Sequence, residues 1–168
     1  HQRALTLFRA AGATLHESAA LNNLGLTQQL LGRLAEAEVT LRLALELSER
    51  SGYRLGVANA LRGLGRLATE QRRFGEAGKL LADALRTAEA HRLKQDQAET
   101  HLALSDYFDA TGDHASALKH YRRYHQLERE VLSENTSTKL RAVQIRHQVQ
   151  AAEREAEIHR LRNVELAQ

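Results

Sequence analysis

Apolar residues fall along this chain in stripes at helical spacing, and the stripes repeat. Leu21, Leu24 and Gln28 share one helical face, with Ala20 and Leu31 on or beside it. Ala37, Leu41, Ala44, Leu45 and Leu47 form a second stripe. The block Ala20-Leu21-Asn22-Asn23-Leu24-Gly25, with Gly32-Arg33-Leu34-Ala35-Glu36-Ala37 behind it, returns forty residues later. There it reads Ala60-Leu61-Arg62-Gly63-Leu64-Gly65, then Arg72-Arg73-Phe74-Gly75-Glu76-Ala77. A looser third copy holds Leu104-Ser105 and Gly112-Asp113-His114-Ala115-Ser116-Ala117. A fixed period of this length marks a stacked repeat protein.

The spacing predicts helix pairs. A partial repeat covers 1–13, and full repeats cover about 14–52, 54–92 and 94–132. Gly32, Gly52 and Gly112 stop helices, because glycine takes the left-handed conformation at a helix end. Asp113 is a candidate N-cap for the helix after it. Gly25 and Gly65 sit inside helices, where glycine costs about 1 kcal/mol relative to alanine. Close helix approach offsets such a cost, and the expected partners are the small residues twelve positions on, Ala37 and Ala77. Ser105 with Ala117 is the matching pair in the third copy. There Tyr121 and Tyr124 replace the earlier Leu and Ala, a divergence typical of terminal repeats.

The tail, 133–168, reads differently. The polar stretch 133–138 is a hinge or continuous helix, and from Ser137 to Ala167 there is neither Gly nor Pro. Thr138, Ala142, Ile145, Val149, Ala152, Ala156, His159, Asn163 and Leu166 recur at spacings of four and three, a weak heptad seam. Such a helix either pairs with a second copy, giving a homodimer, or folds back as a cap.

Composition narrows the class. Apolar residues make up 42% and aromatics 4%, with no Pro, which favours helix over sheet. The absence of Cys excludes disulfides and thiolate metal sites. No apolar run reaches the roughly 18 residues of a membrane span, and a cytoplasmic location is expected. The chain opens in mid-pattern without Met, so it is expected to be a piece of a longer protein. A net charge of +3, evenly mixed, fits neither a nucleic-acid arm nor a membrane anchor.

Chemistry is sparse in the pattern. Of the nine histidines, His114, His120 and His125 are five or six residues apart, which is poor ligand spacing on a helix. No metal and no cofactor is expected. Gly63-Leu64-Gly65 lies within a helix and is no phosphate loop. Asp106, Asp109 and Asp113 lack the spacing of a Ca²⁺ loop. No nucleophile–base set is visible, and an enzyme is not expected. A small hydrolase acting through Asp106 and Asp109 is the reading from another class.

The Leu-Gly pairs, the Ala twelve residues later and the bulky-then-small pair Leu41/Ala44 resemble the tetratricopeptide repeat (TPR) family over about residues 2–132. The family's usual repeat is about 34 residues, against forty here. Its early aromatic is Leu21, Leu61 and His101 in this chain, and its closing Pro is absent. The resemblance implies an all-α, TPR-like right-handed superhelix of antiparallel helix pairs, followed by a long C-terminal helix. It also implies that the first helices line a concave groove for a protein or peptide. His120-Tyr121-Arg122-Arg123-Tyr124, with the helical run behind it, is similar to the end of TPR sensor regions in bacterial signalling proteins. In those, a long helix leads into an output domain such as a diguanylate cyclase or a histidine kinase. A stand-alone scaffold or peptide receptor is the alternative.

On that implied groove the charges are uneven. Residues 54–73 hold Arg54, Arg62, Arg66, Arg72 and Arg73 against Glu70 alone, while 95–113 hold five acids and no Lys or Arg. The candidate groove residues are Asn22, Asn23, Arg62, Arg66, Asp106 and Asp109. Asn22 and Asn23 would hold a ligand backbone. Arg66 and Asp106 occupy equivalent positions and either bridge each other or grip a ligand.

Overall fold

The computed structural model describes residues 14–165, with side chains from 15 to 150 and at Glu153 and Arg154. The partial repeat expected over 1–13 lies outside the described residues. Among the described residues there are six helices and no strand. They are α1 (Thr14–Leu30), α2 (Leu34–Arg50), α3 (Arg54–Glu70), α4 (Phe74–Ala90), α5 (Lys94–Thr111) and α6 (His114–Glu165). This is the expected all-α, TPR-like solenoid of helix pairs with a long C-terminal helix. The stretch 133–138 is helical throughout, within α6. The chain divides into two compact units at Glu128/Arg129, a few residues before the expected boundary.

The turns show why the pairs form. At Gly32 (φ 72°) and Gly112 (φ 84°) the backbone is left-handed. The Arg33 N–H then reaches back to the Gln28 carbonyl at 2.9 Å, and Asp113 N–H to that of Phe108 at 2.9 Å. In the second repeat Arg72 (φ 60°) and Arg92 (φ 55°) take the same conformation without being glycine. Asp113 caps α6 as expected, its Oδ1 accepting the Ser116 N–H at 3.0 Å.

Packing within the pairs corrects one expectation. A Cβ on Gly25 would lie 2.6 Å from Leu41 Cγ, and one on Gly65 would lie 2.7 Å from Leu81 Cγ. The glycines therefore make room for the fully buried Leu41 and Leu81. Ala37 and Ala77, though buried, are not the limiting neighbours. Ser105 does meet Ala117, its hydroxyl donating to the Ala117 carbonyl at 3.0 Å.

The core is built as successive clusters along the repeat unit. Ala37, Leu41, Leu64 and Leu67 form one cluster, with Leu80 packed against it. Leu81, Ala103 and Leu104 form the next, flanked by Tyr107 and Phe108. The backbones of α1, α3 and α5 approach in sequence, whereas those of α2 and α4 do not. The latter two helices meet through long side chains, Arg42 with Glu76 at 3.6 Å. First helices that pack more closely than second helices make the first-helix side of this unit the concave one. Glu38 on α2 takes both Arg42 (2.7 Å) and Arg73 (2.9 Å), tying the outer layer together.

Candidate functional site: the first-helix wall

Asn22 and Asn23 lie side by side on α1 but differ in environment. Asn22 is only 6% exposed, and its Oδ1 is buried without a hydrogen-bond partner. Asn23 is exposed. The open surface of α1 therefore presents Asn23, and Asn22 belongs to the buried side. On α3 the half-buried Asn59 likewise has an Oδ1 without a partner. Gln29 on α1 donates to Glu70 on α3 at 2.9 Å, joining two first helices at their far ends.

The two arginines of α3 have separate fates. The Arg62 side chain, 15% exposed, reaches across to Asp96 on α5, with N···O at 3.4 Å. Burial pushes the Asp96 carboxyl above its usual range, and Arg62 pulls against that shift. Removing either partner would leave a charge in a poorly solvated place, the costly half of a buried pair. Arg62 is thus committed to holding α3 against α5. Arg66, one turn on, is exposed and forms no salt bridge among the described residues.

Asp106, at the equivalent position on α5, is not bridged to Arg66. Its carboxyl is raised by desolvation and by the nearby Asp109, while the field of Arg66 lowers it. Asp109 instead meets His114 at the start of α6, 2.9 Å away. Asp106 and Asp109 line an open depression of about 340 Å³ with Leu102, Ser105, His114 and Tyr121. It is an acidic hollow with an apolar edge, suited to a cationic side chain.

Arg66, Asp106, Asp109 and Asn23 are thus exposed, and the hollow at Asp106 and Asp109 opens between α5 and α6. The structure withdraws Asn22 by burial and Arg62 by pairing. Sequence reasoning missed Asp96 as the partner of Arg62, because the two lie on different helices. It also missed Leu102 and Tyr121 as walls of the hollow, although Tyr121 in place of Leu81 was a visible signal. Among the described residues, no group of three or more His, Asp or Glu is placed to hold a metal ion. No described helix is long and apolar enough to cross a membrane.

Residues 16–90 match the tetratricopeptide repeat family. The matched stretch is α1 to α4, the two repeats with the Gly-to-Leu contact. No curated protein matches the chain.

Proposed function

We propose that the first-helix wall binds an extended peptide segment of a protein partner. Repeats of the matched family generally mediate protein–protein interaction. The observation that carries the reading is the juxtaposition of Arg66, exposed and without a salt bridge, with the hollow lined by Asp106 and Asp109. Neighbouring packed helices are about 8–10 Å apart, and an extended chain advances about 3.3 Å per residue. The ligand that fits has an acidic residue over Arg66 and a basic one about three residues away, in the Asp106/Asp109 hollow. Selecting displayed peptides against the full chain tests this. The expected consensus pairs an acid with a base at that spacing, and Arg66→Glu weakens its binding by tenfold or more. Peptides with no charge pattern, binding the variant equally well, would sink the proposal.

The same proposal extends to the tail as a relay. The helix that begins in the third repeat, α6, runs on to Glu165, and Ile145 and Val149 of the heptad seam are 61% and 51% exposed. Pairing with a second copy would bury them, and the paired helix would couple groove occupancy to an output domain of a bacterial signalling protein. Light scattering on the full chain reads this directly. A dimer that dissociates in Ile145→Asp with Val149→Asp is expected, and a monomeric parent would remove the pairing.

A further inference from the structure

His101 on α5 and His120 on α6 face each other, Nδ1 to Nδ1 at 2.8 Å, with ring centroids 5.1 Å apart. Forty residues earlier the same two positions hold Leu61 and Leu80. A place given to two apolar side chains has become a hydrogen-bonded imidazole pair. Phe108 stacks on His120 at 5.2 Å and 18°. In such a bond one ring donates and the other accepts, so the accepting ring, when neutral, carries its proton on Nε2. Burial, His120 and Arg123 lower His101 to about 4, and burial with Lys119 lowers His120. Both rings are therefore neutral at pH 7.

Beside this pair opens a cavity of about 550 Å³, within the size range of small-molecule sites. His101, His120, Glu89, Lys119, Arg122 and Arg123 are among its lining residues. None of the three cations forms a salt bridge among the described residues, so their charge faces the cavity and solvent. Arg122 and Arg123 stand where the second repeat has Ala82 and Asp83. The third repeat has thus gained two positive charges and lost a negative one at these two positions. With the rings neutral, three cations face one carboxylate, and two positive charges are left uncompensated. A phosphate monoester carries about −1.5 to −2 charges at pH 7, and guanidinium groups match its oxygens in pairs. A single carboxylate supplies half that charge.

We propose that this cavity binds a small organic phosphate. Lys119, Arg122 and Arg123 hold the phosphate, and the organic part rests against the His120 ring and Leu118. Leu118 borders both this cavity and the Asp106/Asp109 hollow, but the two share no charged residue, so the phosphate site stands or falls independently of the peptide reading.

Calorimetric titration of the full chain with adenosine monophosphate, adenosine and citrate tests it. Expected is saturable binding of the monophosphate, none of adenosine, and at least tenfold weaker binding of citrate. The ring resonances of His101 and His120 should shift with the monophosphate. Arg122→Glu with Arg123→Glu should weaken binding by tenfold or more, while Arg66→Glu leaves it unchanged. Should the double variant lose helicity, Lys119→Gln alone should weaken binding by about threefold, the loss of one of three charge contacts. Absence of binding by both the monophosphate and phenyl phosphate at millimolar concentration overturns the proposal. So does equal binding by the charge-reversed variant. Citrate binding as tightly as the monophosphate would show that the site reads charge alone, which overturns the phosphate assignment.

Discussion

The second and third repeats share a backbone plan and spend it differently. In the second, Gly65 lets Leu81 in until Leu81 is fully buried, and Leu80 packs against the neighbouring core cluster, with Leu61 the other apolar residue of the compared positions. In the third, the equivalent positions hold Ser105, Tyr121, His101 and His120. Tyr121 is 45% exposed where Leu81 is 0%. The hollow lined by Asp106 and Asp109 lies on the third repeat, and the larger cavity beside His101 is lined by the third repeat together with Glu89 of α4. The contrast teaches that a repeat can keep its helix pairing with Gly112 and the Ser105–Ala117 contact while its remaining positions turn from packing to polar surface.

The largest break in this comparison comes from truncating the equivalent pair. Leu81→Ala should destabilise the chain by about 2–5 kcal/mol, the range for a fully buried leucine. Tyr121→Ala, at a half-exposed position, should cost less than about 1 kcal/mol. Urea denaturation followed by circular dichroism measures both. Equal losses would mean that the third repeat packs like the second.

A smaller effect sharpens the comparison through pH. In the folded chain His101 stays neutral down to about pH 4, while in the unfolded chain it takes a proton near 6.5. Between those values the unfolded state binds more protons, so stability falls as pH drops through that window. His120, also lowered, acts in the same direction. His101→Leu restores the residue of the first two repeats at this position. It should flatten the decline in urea midpoint between pH 7 and 4.5, and an unchanged slope would show that the imidazole pair does not govern it.

The forty-residue period and the Leu-Gly spacing made the helix pairs legible, because packing constraints recur at each repeat. The last helix was less so, since polar residues over 133–138 suit both a turn and a solvated helix. Arg66, Asp106 and Asp109 are exposed, as charged side chains outside the apolar stripe of a helix are expected to be. Asn22 did not stay on the exposed surface: its neighbour Asn23 took it, a one-residue difference that turns a helical side chain by about 100°. The Arg62–Asp96 pair was illegible for another reason. Asp96 stands where the second repeat has Gly56, so no equivalent contact in an earlier repeat announced it. His101 with His120 was hidden because histidine spacing was weighed within helices, and this pair joins two.

The most direct test of the central claim, that the first-helix wall reads paired charges on a peptide, is a charge exchange. A selected peptide with an acid and a base about three residues apart would be titrated against the full chain and against Arg66→Glu with Asp106→Lys. The account predicts that the exchange weakens binding by tenfold or more, and that swapping the peptide's two charges recovers most of it. Undiminished binding of the original peptide, or no recovery with the swapped one, would contradict the account.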